Sequence, residues 1–390
     1  MTEAPRKVAI VHDFFCNIGG SDVVASLLHG LFPQAPVYTL LVYDRNRGHP
    51  LLRGMDLRTS FIQRLPLAGR AHQPYLPLFP LAIEQFDLSA YDLVLSSSHS
   101  CAKGVLTRPE TLHICYCHTP MRYAWDLYYD YVHTELRQGL FRPLAALVMA
   151  YVRLWDAAAA GRVDYYVANS AYVASRIRKH YRREAEVIYP PVDTDYFVPG
   201  EERGDFFLVV SRLTRYKRVD LAVEAFNRLG LPLKVIGEGP ELPRLRRLAG
   251  PNVEFLGYRA RDEVRRHMAA CRAFVFPGLE DFGIAPVEAQ AAGRPVIAYG
   301  AGGVLETVED GVTGVLFAAQ TVDALAAAVE RSLGLTFETE ACRRSALRFD
   351  RSVFLERVSR FVDEKWRAWG AGCPHQTKPR RAIANKGGAA

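Results

Sequence analysis

The sequence predicts an α/β protein made of two doubly wound domains, and three observations carry that prediction. From residue 7 onward, apolar strand-like runs alternate with amphipathic helical ones. The strand-like runs are continuous rather than alternating in polarity, which marks parallel strands buried on both faces. The chain's 390 residues exceed what one ordinary core organises.

Residues 7–15 (KVAIVHDFF) read as a strand, Gly19-Gly20 as a turn and 21–31 as a helix. Further strands are expected at 93–97, 113–118, 165–168 and 187–189. The stretch 140–155 (LFRPLAALVMAYVRLW) is apolar, but Arg142, Pro143 and Arg153 interrupt it. It reads as a partly buried helix too short to span a membrane, with an interfacial membrane helix as the alternative. The second half is more regular. Strands at 206–213, 233–237, 253–256, 273–277 and 295–298 alternate with helices at 219–229, 241–249, 261–271 and 286–292. The proline-rich stretch 189–200 (YPPVDTDYFVPG) has neither period and marks a boundary. The expected division is therefore 1–190, 191–350, a last helix within 351–369, and a polar, basic tail at 370–390 that is expected to be disordered.

With 49% hydrophobic and 23% charged residues, the composition is that of a globular domain pair. The start (MTEAPRKVAIVHDFF) lacks a signal peptide's apolar core, so a cytoplasmic location is expected. Seven cysteines are scattered, and the one-residue gap between Cys115 and Cys117 fits neither a zinc pair nor a redox motif. Alternation along a strand explains that pair, and reduced structural thiols are expected. A net charge of +7 suits nucleic acid, an anionic membrane or anionic ligands. No zinc-finger, RNP-like or helix-turn-helix pattern accompanies it, which disfavours nucleic acid.

In doubly wound sheets, ligands sit beyond the carboxyl ends of the strands. The candidates lie there. In EDFGIAPVEAQAAGRPV (280–296), Pro286 suits a first helical position and Gly283 a tight turn. The amides of Phe282, Gly283 and Ile284 would then face a helix N-terminus that welcomes an oxyanion. Glu280 can reach a ligand from the loop and Glu288 from the helix's first turn. A solvated loop acid beside a helix-dipole acid fits the spacing equally well. Arg212 and Lys217 follow the strand at 206–213, where a guanidinium fork and a compact ammonium suit a phosphate. A solvated basic turn is the plainer reading. Gly237 and Gly239 follow the next strand, but Leu242 stands where a dinucleotide fingerprint needs its third glycine. Gly19 and Gly20 permit close backbone approach or a plain turn. His118, before Thr119-Pro120, and Lys103 are lone polar residues, more often structural than catalytic. Asp193-Thr194-Asp195 lies in the proline-rich boundary rather than after a strand and reads as turn chemistry, not a metal site.

Taken in order, these motifs resemble those of the retaining glycosyltransferases of family 4, over residues 7–366. Glu280 to Glu288 resembles the family's E-x7-E motif. Ser211-Arg212-Leu213 with Lys217, Gly237-Glu238-Gly239-Pro240, Gly19-Gly20 and His118 match its other motifs. The resemblance implies a GT-B fold: two Rossmann-like domains face a deep cleft, and the C-terminal helix crosses back to the N-terminal domain. It implies that Glu288 holds the ribose, Glu280 the donor hexose, and Arg212 and Lys217 the departing diphosphate. The amides at 282–284 and Gly19-Gly20 would hold phosphate or sugar, and His118 would lie by the reaction centre. No metal and no cofactor beyond a nucleotide-sugar cosubstrate are implied. HTPMRYAWD (118–126) resembles a bacterial branch with mannosyltransferases of O-antigen and exopolysaccharide assembly. That implies GDP-mannose, a saccharide or lipid-linked saccharide acceptor, and peripheral contact with an anionic membrane. UDP-sugar donors, a sugar-nucleotide epimerase of the same architecture, and a non-enzymatic polyanion-binding protein are the competing expectations.

Overall fold

The computed structural model describes residues 6–130 and 142–372. Its first sheet comprises β1 Val8–His12, β2 Val37–Thr39, β3 Leu57–Thr59, β4 Leu93–Ser98, β5 Leu112–Cys117, β6 Tyr165–Ala168 and β7 Ala185–Val187. Its second comprises β8 Phe207–Val210, β9 Leu233–Ile236, β10 Val253–Gly257, β11 Phe274–Phe276, β12 Val296–Tyr299 and β13 Gly314–Phe317. The strand orders are β3-β2-β1-β4-β5-β6-β7 and β10-β9-β8-β11-β12-β13. Every pairing within them is parallel. Winding reverses between β1 and β4 in one sheet and between β8 and β11 in the other. Those two points open the crevices in which such folds place ligands.

The helices are α1 Gly20–Leu31, α2 Phe79–Glu84, the single turn α3 Tyr128–Asp130, α4 Arg142–Ala159, α5 Ala171–Tyr181, α6 Val219–Leu229, α7 Leu242–Leu248, α8 Arg261–Ala270, α9 Ile284–Ala291, α10 Val322–Leu333, α11 Thr339–Leu347 and α12 Arg351–Gly372. Both faces of each sheet are covered. The apolar stripe of α6 (Val219, Ala222, Val223, Phe226) shares one core with β8, β9, α10 and β13. Phe197, Met268, Phe274 and Val287 fill the opposite face.

Several boundaries differ from the sequence expectation for local reasons. The strand expected at 7–15 ends at His12, because Asp13 leaves the ladder to accept backbone amides of the loop after β4. The helix expected at 286–292 begins at Ile284. Gly283, with φ 88°, turns the chain into the helix two residues before Pro286. Pro286 is therefore third in the helix, where its missing N–H still costs nothing, and Glu288 lies in the second turn rather than the first. The last helix runs on to Gly372, three residues past its expected end. The rest of the expected disordered tail, 373–390, lies outside the described residues.

Phe354, Val358, Phe361 and Val362 of α12 pack into the core formed by β1, β4 and β5, so the helix returns to the first sheet. It is tied there by Arg357, which donates to the Val187 carbonyl at 2.8 Å, and by an Arg6–Asp363 pair at 2.8 Å. The two crossings between sheets are joined at one place: the Val192 amide donates to the Phe349 carbonyl (2.9 Å) and the Arg351 amide to the Val192 carbonyl (3.1 Å). Among the described residues, Cys16, Cys101, Cys115, Cys117, Cys271 and Cys342 are free and buried. Cys115 and Cys117 alternate along β5 and face one apolar cluster.

Phe354 is fully buried, with its ring edge-on to Tyr116 at 5.7 Å. Phe354→Ala should cost about 3–5 kcal/mol in chemical denaturation. The loss should fall on the first sheet, although Phe354 follows the second in sequence. Hydrogen exchange that loosened only the second sheet would contradict this packing.

Candidate active site

On the N-terminal side, the site is built on β1, β4 and β5. Asp13 is fully buried and accepts the amides of His99 (2.6 Å), Ser100 (2.8 Å) and Ala102 (2.6 Å), which shapes the loop after β4. Asp22 of α1 closes the Gly19 turn by accepting the Gly19 amide at 2.8 Å, and it lies 3.4 Å from His12 Nε2. The Ser97 hydroxyl joins His12 Nδ1 (3.1 Å) to His118 Nε2 (2.8 Å). Burial, reinforced by His99 and His12, holds His118 well below the usual imidazole range, so it is neutral. His99 is partly open, with Nδ1 3.1 Å from Asp13. Burial also lowers its pKa, with Asp13 opposing and Arg212 of the other domain among the lesser contributors. Lys103 is not part of this group. It is buried in an ion pair with Asp156, which also accepts from Trp125 Nε1 and the Tyr181 hydroxyl, each at 2.8 Å.

On the C-terminal side, loops after β8, β9, β11 and β12 lean on one another, and glycines stand where backbone meets backbone. A Cβ on Gly237 (φ 137°) would collide with the Ser211 carbonyl, and one on Gly239 with the Leu213 carbonyl. One on Gly278 would fall 2.9 Å from the Lys217 carbonyl, and one on Gly302 would collide with the Glu280 carbonyl. Gly237 and Gly239 thus act by packing. This nesting presents Lys217 to Glu280, and Lys217 Nζ pairs with Glu280 Oε1. Arg212 is exposed and donates to the Tyr216 hydroxyl at 3.1 Å. The Phe282 ring is buried against Phe349 (5.3 Å) and Tyr189 (5.7 Å), so the residue can offer a ligand only its backbone. Gly283 caps α9, and the first amides of that helix have no acceptor within it. Burial pushes the Glu288 carboxyl up to about 7, with Arg261 pulling it down and Asp193 raising it slightly. Asp193 pairs with Arg261 at 2.9 Å, and its carbonyl accepts the Tyr196 and Phe197 amides (3.2 and 3.1 Å), the bonding of a turn.

The two sides touch. A Cβ on Gly20 would lie 2.5 Å from Ile284 Cδ1, so the α1 turn abuts the start of α9. Arg122, in the segment after β5, places Nε 3.1 Å from Asp281 and Nη1 3.5 Å from Glu280. Arg176 of α5 donates to Asp281 (2.6 Å) and to Thr119 (2.6 Å), and also pairs with Asp126. Glu306 accepts the Ala171 and Tyr172 amides (2.8 and 3.1 Å), capping α5 from the opposite domain. Burial raises the Asp281 carboxyl even though both arginines oppose it. Sequence reading did not single out Arg122, Arg176, Asp281 or Glu306. Arg122 and Asp281 lie inside the two quoted motifs, but their pairing spans the whole fold.

Residues 18–196 match the family described as Glycosyltransferase Family 4, and residues 193–346 match Glycosyl transferases group 1. These adjoining matches give the chain a family 4 and a group 1 glycosyltransferase domain, and the fold that carries them is that of GT-B proteins. Among similar proteins is a GDP-mannose-dependent alpha-(1-6)-phosphatidylinositol monomannoside mannosyltransferase of Mycobacterium tuberculosis (strain CDC 1551 / Oshkosh). It is 35% identical over 196 residues, covering 42% of this chain and 51% of that one. A glycogen synthase of Xanthomonas euvesicatoria pv. vesicatoria is 36% identical over 161 residues, covering 38% and 31%. The chain thus spans about half or less of these relatives. Sucrose-phosphate synthase from Thermosynechococcus elongatus superposes with a TM-score of 0.70 at 17% identity, covering 93% of this chain and 100% of that one. Anabaena Alr3699/HepE, in complex with UDP-glucose, gives 0.66 at 18%, covering 92% and 100%. These structural likenesses are likenesses of fold.

Two predictions follow from the site's packing. Glu288 titrates near 7 in the fold, against about 4.3 for a free glutamate. The folded state therefore binds this proton more tightly, and the contribution is lost as pH rises from about 4.3 through about 7. Glu288→Gln should raise the melting temperature relative to the parent more at pH 8 than at pH 5; an equal shift at both would contradict the burial argument. Gly237→Ala must meet a carbonyl at positive φ and should cost at least about 1–3 kcal/mol. Gly20→Ala meets only the end of a flexible side chain and should cost less, as paired urea titrations would show.

Proposed function

We propose that the protein is a retaining hexosyltransferase that moves mannose from GDP-mannose to a saccharide or lipid-linked saccharide acceptor in cell-surface polysaccharide synthesis, without a metal ion. We place it on the cytoplasmic side, in peripheral contact with the membrane. The observation that carries the transfer reading is the Lys217–Glu280–Arg122 group, where the two switch points face each other. A leaving diphosphate needs fixed positive charge. Lys217 and Arg212 supply it from one domain, and Arg122 adds a guanidinium from the other. A diphosphate that competes for Lys217 frees the Glu280 carboxylate to accept hydroxyls of the donor hexose. Glu288 would accept those of the ribose, and the first amides of α9, beside Gly19-Gly20, would hold phosphate or sugar oxygens.

Retention through a covalent intermediate needs a free carboxylate nucleophile. Asp13 and Asp22 of the N-terminal crevice are both engaged by backbone amides. This favours reaction on one face, with the leaving phosphate accepting the acceptor's proton. His118 is neutral, so its part is hydrogen bonding rather than acid catalysis. Mannose is supported by the mycobacterial relative's name and by the HTPMRYAWD segment. A UDP-sugar donor handled by the same residues is the second reading, favoured by the UDP-glucose complex of the Anabaena protein.

Calorimetric titration with GDP-mannose, UDP-glucose, UDP-N-acetylglucosamine and NAD, in EDTA, tests the proposal. GDP-mannose should bind tightest, and Glu288→Ala and Lys217→Ala should each weaken it at least about tenfold. Arg122→Ala should lower kcat/KM about 10²–10³-fold. A uridine-sugar winner would keep the transfer and change the donor. Binding of NAD alone, or of none, would overturn the proposal in favour of a non-transferase.

A further inference from the structure

Four polar side chains of the N-terminal crevice stand in one row of hydrogen bonds. Asp22 Oδ1 lies 3.4 Å from His12 Nε2, His12 Nδ1 lies 3.1 Å from the Ser97 hydroxyl, and that hydroxyl lies 2.8 Å from His118 Nε2. The strand order sets up the row, because His12 and Ser97 are direct partners in the β1–β4 ladder and His118 follows β5, the next strand. His12 and Ser97 are fully buried and Asp22 almost so, which leaves these groups to one another. The last nitrogen of the row, His118 Nδ1, has no hydrogen-bond partner among the described residues.

With one proton on each ring, the chemistry of the groups gives every bond its direction. An ionised carboxylate only accepts, so Asp22 calls for the His12 proton on Nε2. His12 Nδ1 is then an acceptor and takes the Ser97 hydroxyl hydrogen. The Ser97 oxygen has no second hydrogen to give, so it accepts from His118 Nε2–H. The reverse direction would set the His12 Nε2 lone pair against the Asp22 carboxylate, two acceptors face to face. His118, which burial keeps neutral, is left with a bare lone pair on Nδ1.

We propose that Asp22, His12 and Ser97 are positioning residues that hold the His118 proton on Nε2, so that Nδ1 accepts a hydrogen bond from a hydroxyl of the donor hexose. The hexose contact rests on the transfer reading above; the place of the proton rests on the row alone. The division of roles suits the cleft. Arg212, Lys217 and the first amides of α9 all give hydrogens, so a sugar hydroxyl that accepts from them keeps its own hydrogen for an acceptor opposite. A buried acceptor left unpaired also penalises a sugar that lacks the hydroxyl.

A second bond makes the direction reversible by one substitution. Asp22 Oδ2 accepts the Gly19 amide at 2.8 Å. In Asp22→Asn the side-chain oxygen has to stay on that amide, because an NH2 group cannot accept, and the NH2 then faces His12 Nε2. His12 Nε2 becomes the acceptor and Nδ1 carries the proton. Ser97 turns its hydroxyl towards His118 Nε2, and the His118 proton settles on Nδ1. The shape of the site is kept while the polarity of His118 is inverted.

Nitrogen NMR of the full chain labelled at histidine, at about pH 8, above the ordinary imidazole range, reads which nitrogen of each ring is protonated. His12→Gln and His118→Gln assign the two rings. In the parent, both rings should carry the proton on Nε2. Asp22→Asn should move both to Nδ1, and Ser97→Ala should free His118 while leaving His12 as it is. Calorimetric Kd for GDP-mannose, or for UDP-glucose should GDP-mannose not bind, should rise about tenfold in Asp22→Asn, with circular dichroism unchanged. A parent with the His118 proton on Nδ1, a His12 ring carrying two protons, or an Asp22→Asn variant that keeps the His118 proton on Nε2 would each overturn the row's direction. Reversed rings with unchanged donor affinity would overturn the contact with the hexose. A parent that bound no nucleotide sugar would sink the transfer reading, and the NMR result would still decide the place of the proton.

Discussion

Two adjacent carboxylates that neither domain satisfies alone hold the site together. Glu280 and Asp281 follow one another after β11, and both are largely withdrawn from water. Side by side they repel, and a partly buried carboxylate without a partner costs several kcal/mol. Lys217 answers Glu280 from within the second domain. Arg122 bridges both acids, and Arg176 takes Asp281, from the first domain. If the domains were to part, Asp281 would lose both of the cations that oppose its burial. The loop that would grip a donor is thus also the loop that latches the two halves, and ligand binding and closure become one event.

That loop is stiff because of what lies beneath it. Four loops at the ends of the second sheet's strands pack backbone against backbone at Gly237, Gly239, Gly278 and Gly302. With no Cβ at these contacts, carbonyls approach to distances that any other residue would prevent. These glycines transmit position: the loop after β9 seats the loop after β8, and that loop seats Lys217 against the loop bearing Glu280. From the first domain, Gly20 meets the opposite one, against Ile284.

Five strands of the second sheet were legible in sequence because they are continuous apolar runs, most of them bounded by glycine or proline, whereas its edge strand β13 (Gly314–Phe317) was not singled out. The short strands β2 and β3 of the first sheet were not legible either, since three residues carry no measurable period. The E-x7-E stretch was legible as chemistry, but its helix start was misplaced: Pro286 looked like a boundary, and the backbone at Gly283 decided otherwise. Arg122 was hidden for a different reason. Nothing local separates it from the many surface arginines of a basic chain, and its role appears only when the fold sets it against a loop more than a hundred residues away. Lys103 reads in sequence as a residue more often structural than catalytic, and its burial on Asp156 gives it that part.

The two crevices divide the electrostatic work of the proposed transfer. On the N-terminal side, Asp13 and Asp22 are engaged by amides, and burial keeps His99 and His118 neutral. On that side the carboxylates are held by hydrogen bonds and the two imidazoles carry no charge. On the opposite side, Arg212 and Lys217 stand at the end of β8, and Arg122 reaches across to join them. A sugar leaving a diphosphate separates charge, with the negative end on the phosphate. In this cleft the negative end would meet cations already in place, whereas Asp13 and Asp22 of the N-terminal crevice are held by backbone amides. The geometry therefore favours departure of the diphosphate, a bias that needs no residue to change its charge during the reaction.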